Sequence, residues 1–124
     1  MTAETISLDS EALAETVVAA LEDAKAQDIR LIDVRHLTSM TDYMVVASGT
    51  SDRHVKSVAS SVVDTLKAAG RRPLGVEGEN DGEWVLVDLQ DALVHVMLPR
   101  IRDFYNLEKL WDLPPEDAVG GTED

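Results

Sequence analysis

The feature that most constrains this chain is a short apolar run that stops at a Gly-Thr-Ser turn and leads into an amphipathic helix. Residues Asp42–Ser48 are almost wholly apolar, a pattern typical of a strand that is central in a sheet or covered on both faces. After Gly49, either Thr50 or Ser51 is suited to cap a helix, since both side chains accept hydrogen bonds from backbone N–H groups. Apolar residues then recur at helical spacing until Gly70, which is typical of a helix end. The segment therefore predicts a buried strand followed by a helix that packs on its sheet.

Strand and helix patterns also fill the rest of the chain. Asn80, Asp81 and Gly82 stand between two apolar runs and predict a hairpin turn. The full prediction is a helix over 9–27, strands over 29–34 and 42–48, the helix that ends at Gly70, strands over 74–77, 84–88 and 92–98, and a helical turn over 100–105. This order predicts one α/β domain of α+β character, with helices packed on a mixed sheet of about five strands.

Composition sets the expected domain boundaries. Hydrophobic residues make up 44% of the 124 residues, which suffices for a single core. We expect residues 1–8 to form a flexible N-terminus and residues 9–112 to form the domain. Residues 113–124 are rich in Pro, Gly and acidic residues, so a disordered acidic tail is expected there.

The chain is strongly acidic, with 24 acidic against 11 basic residues and a net charge of −13. Because nucleic-acid binding rests on clustered Lys and Arg, direct sequence-specific binding of nucleic acid is not expected. Two interpretations of the charge remain open: it serves solubility alone, or it steers the protein to a basic protein partner. No apolar run approaches the ~20 residues of a membrane helix, and the N-terminus has no secretory pattern. A soluble, cytoplasmic protein without a membrane partner is therefore expected.

No group of side chains indicates catalysis. The Gly49-Thr50-Ser51 turn has the form of a phosphate-binding helix start and also of the turn that opens nucleotidyltransferase folds, but no Lys follows it as in a P-loop. A two-metal mechanism needs convergent carboxylates, and the strand that follows the helix offers only Glu77. The three histidines lack zinc-ligand spacing and there is no cysteine. We predict no enzyme and no catalytic, metal or cofactor site, with a nucleotidyltransferase as the enzymatic alternative.

The last two strands predict one core face and one mixed face, because side chains alternate along a strand. An aromatic anchor among a few polar groups is typical of a surface that meets a partner. Alternatively, the segment 106–112 covers the mixed face with an apolar side formed by Tyr105, Leu107, Leu110 and Trp111. The sequence leaves both interpretations open. The mixed face consists of Trp84, Leu86, Asp88, Leu93, His95 and Met97.

Several motifs resemble, in order and with matching gaps, those of the Iojap family of ribosomal silencing factors. The resemblance runs from about Ile29 to Trp111, which is nearly the whole predicted domain. The motifs are Thr41-Asp42-Tyr43, Ala47-Ser48-Gly49-Thr50-Ser51, Arg53-His54-Val55, Gly75-Val76-Glu77-Gly78, Trp84 with Asp88, Asp91 with Val94-His95-Val96, and Tyr105-Asn106-Leu107-Glu108-Lys109-Leu110-Trp111.

The resemblance implies a fold related to the nucleotidyltransferases, without their activity. It implies a translational repressor that binds the large ribosomal subunit through its protein L-fourteen and blocks joining of the small subunit, notably in starved cells. Assembly or maturation of the large subunit is the alternative, since both roles use one docking surface. A homodimer of the free protein is also implied. Carried onto this chain, the resemblance places partner binding at Trp84 as the hot spot, with Asp88, His95 and Met97 beside it, Glu77 and Asp91 facing basic groups, and Tyr105 at the flank.

Overall fold

The computed structural model describes residues 9–111, so the expectations for the N-terminus (1–8) and the tail (113–124) lie outside the described residues. The helices are α1 (Ser10–Asp23), α2 (Asp52–Ala68), α3 (Pro99–Tyr105) and α4 (Leu107–Trp111). The strands are β1 (Gln27–Asp33), β2 (Tyr43–Ser48), β3 (Gly75–Glu77), β4 (Trp84–Asp88) and β5 (Ala92–Met97).

The strands form one five-stranded sheet in the order β1-β2-β5-β4-β3. β2 and β5 run parallel, while the pairs β1–β2, β4–β5 and β3–β4 are antiparallel. The predicted mixed sheet of about five strands is confirmed. All six residues of β2 are buried, because β2 lies between two neighbours and both its faces are covered, as its continuous apolar run predicts.

The main core lies between the sheet and the two long helices. The amphipathic faces of α1 and α2 cover one side of β2, β5 and β4, which we call the inner face. Val45, Val94, Val85 and Val87 stand on it with no exposed surface. The Val and Leu side chains that strand alternation assigns to one face of β4 and β5 therefore belong to the core.

Local chemistry explains where the helices begin and end. The Ser51 side chain accepts a hydrogen bond from the His54 N–H at 3.1 Å and caps α2, one of the two caps that the sequence offered. Gly70 follows α2 at a φ of 87°, as expected of a C′ glycine. The prediction for α1 ran too far, because Lys25 adopts a φ of 67° and stops the helix at Asp23 although no glycine marks the place.

The hairpin between β3 and β4 depends on Gly78. Its φ is +88°, and a Cβ at this position would lie 2.0 Å from the Trp84 carbonyl oxygen. Only glycine allows that approach. The predicted hairpin is confirmed, and its tight closure places the first residue of β4, Trp84, beside the end of β5.

Candidate docking surface

The side of the sheet opposite α1 and α2, which we call the outer face, is covered only in part. Ile101 of α3 and Leu107 of α4 pack over one end of it, against a second buried cluster. Elsewhere Leu86, Asp88 and Leu93 keep partly exposed side chains. The interpretation that C-terminal residues cover this face is therefore correct at one end only, and binding of a partner by the open part stays a prediction. In β2 to β5 the outer face carries Met44, Val46, Ser48, Glu77, Trp84, Leu86, Asp88, Leu93, His95 and Met97.

Trp84 is held in a fixed position on the outer face. Its Nε1–H donates a hydrogen bond to His95 Nδ1 at 3.0 Å, and its ring centroid lies 4.9 Å from that of Tyr105. Tyr105 is 51% exposed, so the pair presents an aromatic edge at the margin of the covered end. An aromatic side chain that is already ordered loses little entropy on binding, which suits it to act as an anchor.

His95 supports Trp84 from below. Only 6% of its surface is exposed, and burial lowers its pKa from 6.5 to about 4. The indole N–H is a donor only, so the His95 Nδ1 must be the acceptor and the proton of the neutral ring sits on Nε2. That buried Nε2 has no hydrogen-bond partner among the described residues.

We expect acidification to destabilise the protein through His95. The unfolded chain binds the imidazole proton near pH 6.5 and the folded chain only near pH 4, so the contribution of His95 to stability is present above pH 6.5 and is lost as the pH falls toward 4. Urea unfolding of the wild type and of His95→Gln, between pH 7 and 4.5, measures it. The wild type should lose more stability than the variant over this range. Parallel losses would contradict a buried neutral His95.

Besides His95, which is buried beneath Trp84 and not itself part of the accessible surface, two of the expected partner-binding residues have another role in this structure. Met97 has no exposed surface, because it belongs to the buried cluster under Trp84, Ile101 and Leu107. Its expected place in the docking surface is therefore wrong. Strand alternation gave the correct face for Met97, but it could not show that α3 covers that end of the face. Asp91 pairs with Arg71 at 3.4 Å, and its carbonyl oxygen accepts the N–H groups of Asp42 and Tyr43 at 3.1 Å each. Asp91 thus joins the starts of two strands.

The other acidic candidates do lie on the outer face. Glu77 is exposed opposite Leu86 in the β3–β4 register. Asp88 stands opposite Leu93, partly exposed, and its Oδ1 accepts the Gln90 N–H at 2.9 Å. The open part of this face therefore has an apolar centre with carboxylates beside it.

Sequence reasoning missed two features of the covered end. Phe104 is 78% exposed and meets Tyr105 edge-on, with the ring centroids 5.0 Å apart; two adjacent aromatics next to a matched motif were the available signal. Arg102 is only 9% exposed, and nothing in the sequence marks it, because its partner Ser48 is 54 residues away.

Arg102 clamps α3 and α4 to the end of the sheet. Its Nη1 donates to Ser48 Oγ at 2.8 Å, across 54 residues of sequence. Its Nε and Nη2 donate to the two carboxylate oxygens of Glu108 at 3.0 and 2.9 Å. Arg102 holds the pKa of Glu108 below its usual range by these bonds, and Arg30 adds a contact to Glu108 at 3.6 Å.

The Gly-Thr-Ser turn serves the fold. His54 Nδ1 accepts the Thr50 N–H at 2.9 Å, and His54 Nε2 donates to the Ala24 carbonyl at 3.0 Å, so this histidine joins the start of α2 to the end of α1. Between Asp9 and Trp111, no three His, Asp or Glu side chains converge as metal ligands. No helix in that same range has the length and apolarity needed to cross a bilayer.

Comparison with known proteins shows which family this chain resembles. The family model "Ribosomal silencing factor during starvation" matches residues 7–123. A ribosomal silencing factor of Chromobacterium violaceum is 45% identical over 117 residues, which cover 94% of this chain and 96% of that protein. A Mus musculus protein named for mitochondrial assembly of the ribosomal large subunit is 34% identical over 127 residues, covering 89% of this chain and 56% of its own.

Solved structures agree. A crystal structure of a Chromobacterium violaceum protein superposes with a TM-score of 0.83 at 47% identity, covering 84% of this chain and 87% of the other. The family is one of ribosomal silencing factors and not of enzymes, which agrees with the missing carboxylate set. The match of a family model along nearly the whole chain, together with the same fold in a close relative, establishes that this protein belongs to the ribosomal silencing factor family.

Proposed function

We propose that this protein is a cytoplasmic translational repressor that docks its outer face on the large ribosomal subunit, on ribosomal protein L-fourteen, and so blocks joining of the small subunit sterically. Trp84 and Tyr105 form the anchor, His95 fixes the anchor, and Glu77 and Asp88 meet basic groups. The free protein is proposed to form a homodimer.

The observation that carries this proposal is the chemistry of the open part of the outer face. Leu86 and Leu93 give it an apolar centre, an ordered aromatic edge borders it, and its exposed ionisable groups, Glu77 and Asp88, are acidic. An apolar patch of this kind with acids at its rim fits a basic protein surface. The net charge of −13 adds long-range attraction to such a partner.

Assembly of the large subunit is the second candidate function. The name of the Mus musculus relative favours it, since that protein is named for assembly of the mitochondrial large subunit. Either role uses the same docking surface, so the two differ in when the protein binds and not in which residues bind.

Sedimentation of purified subunits tests the proposal. We expect the wild-type protein to co-sediment with the large subunit and to lower the joined-ribosome peak. Glu77→Lys should bind more weakly, because it places a positive charge against the proposed basic partner. Asp64→Lys is the matched control, since Asp64 is also exposed but lies on α2, away from the outer face. Binding without any effect on joining would favour the assembly role, and equal binding by both variants would contradict the proposed orientation.

A further inference from the structure

An apolar cavity opens at the end of the outer face farthest from α3. Its volume is about 40 Å³, and its walls are Val34, Thr38, Met40, Thr41, Met44 and Leu93. The walls expose no polar surface to the cavity. Such a cavity has nothing to offer a water molecule, which needs two to four polar partners.

One wall of the cavity, the Met40 side chain, has few contacts to restrict its movement. Met40 is 79% exposed, and an unbranched thioether side chain changes shape at little cost. Its backbone N–H is fixed by the Thr38 Oγ1 at 3.1 Å, so the side chain moves over a fixed base. The floor is rigid by contrast, since Val34 and Met44 are 1% and 5% exposed.

The cavity is continuous with the open part of the outer face. Leu93 forms one wall and also stands opposite Asp88 in the β4–β5 register. Met97, opposite Trp84, lies four residues farther along β5, which places the aromatic anchor ~13 Å from the cavity at ~3.3 Å per residue. One interface of ordinary size, ~800 Å² on each partner, covers both.

We propose that this cavity is a socket for one aliphatic side chain of the docking partner, and this inference rests on the proposed function. A space for one water molecule measures ~10–15 Å³ on this scale, so 40 Å³ accepts about three non-hydrogen atoms. That is the branched end of a Val or Leu side chain. Because Asp88 stands beside Leu93, the side chain comes from a segment that also carries Lys or Arg. In this arrangement Trp84 and Tyr105 project from this protein at one end of the interface. At the other end, a side chain of the partner enters the cavity beside Leu93.

Xenon tests the socket without any partner, since dry apolar cavities bind it. Methyl NMR spectra recorded under xenon pressure should shift the signals of Val34, Met44 and Leu93. In Leu93→Phe, whose larger ring fills the space, the shifts of Val34 and Met44 should disappear. Absence of any shift in the wild type would show that no cavity of this size exists and would overturn the inference.

Affinity for the large subunit tests the occupant. Leu93→Phe should weaken binding at least ~10-fold, as expected when a buried group of about three carbons is excluded. Leu74→Phe makes the same enlargement at a residue that is 68% exposed and outside the outer face, and it should bind like the wild type. Met40→Glu provides a second test of the cavity in case Leu93→Phe misfolds. It adds a carboxylate that would attract a basic partner, so weaker binding by this surface variant would indicate loss of the apolar wall.

The outcomes separate the socket from the function. If Trp84→Ala loses affinity while Leu93→Phe and Met40→Glu keep it, the docking face stands and the socket is wrong. If the two socket variants alter self-association in sedimentation equilibrium and leave subunit binding unchanged, the occupant is a second copy of this chain and the inference fails. A wild-type protein that binds no subunit would overturn both proposals.

Discussion

Replacing Arg102 with alanine is expected to lower the free energy of unfolding by about 3 kcal/mol. The guanidinium is enclosed between Ser48 and Glu108. Its removal leaves a carboxylate that is only 16% exposed without its bidentate partner, with only the longer Arg30 contact at 3.6 Å remaining. Replacing both partners of a buried ion pair with apolar residues often changes stability little. Removing only one partner is strongly destabilising, because the remaining charge stays poorly solvated. Urea unfolding at neutral pH measures the loss.

Arg100→Ala is the matched control. Arg100 lies on the same helix and pairs with Glu83 at 3.3 Å, but the two side chains are 67% and 50% exposed. An exposed pair contributes little, so this variant should remain within ~0.5 kcal/mol of the wild type. Equal losses in the two variants would show that Arg102 does not act as a buried clamp.

The difference between the wild type and Arg102→Ala should also shrink in acid. Arg102 lowers the pKa of Glu108 in the folded state, so the stabilisation is fully present above the ordinary pKa of a glutamate, ~4.3, and is lost as the pH falls through the lowered value. Unfolding curves at pH 7 and near pH 3 test the sign. A difference that grew on acidification would contradict the assigned pairing.

Trp84→Ala is expected to weaken docking on the large subunit by more than ~2 kcal/mol, which is roughly 30-fold in Kd. The truncation removes the anchor from Tyr105 and leaves the Nδ1 atom of His95 without its donor. Because Trp84 also packs on the second buried cluster, we expect Trp84→Ala to lower the stability of the fold as well. Its binding must therefore be measured well below its unfolding transition.

Trp84→Phe separates the two effects. Phenylalanine keeps an aromatic ring over the cluster but donates no hydrogen bond, so we expect a loss of affinity smaller than that of alanine. Leu74→Ala serves as the control, because Leu74 is exposed and lies outside the outer face. If Trp84→Ala binds as tightly as this control, Trp84 is not part of the interface.

Local patterns predicted most of the fold because the elements carry their own signals. Ser51 caps α2, the glycine-closed turn makes the hairpin, and alternation sorts Val85 and Val87 onto the core side. Each of these is decided within a few residues. The predicted end of α1 was four residues too late, since the positive φ at Lys25 needs no special residue. The strand β5 ends one residue before its predicted end.

The covered end of the outer face could not be predicted in the same way. Met97 alternates like a surface residue, and only the return of α3 and α4 over it, pinned through Ser48 and Arg102, turns it into core. A contact across 54 residues leaves no local trace. For Trp84, strand alternation predicted the correct face of the sheet. Its hydrogen bond to His95 could not be predicted, because it depends on the three-dimensional positions of the two side chains.

The parallel pairing of β2 with β5 has a consequence for how the chain matures during its own synthesis. Strand β2 ends at Ser48, but its parallel neighbour β5 ends only at Met97. Until the ribosome has delivered that later strand, β2 has only β1 beside it and its other edge stays unpaired. An unpaired apolar edge is a site of aggregation. The nascent chain therefore keeps this strand edge unpaired until β5 has been made, and the sheet is complete only when β5 pairs with both β2 and β4.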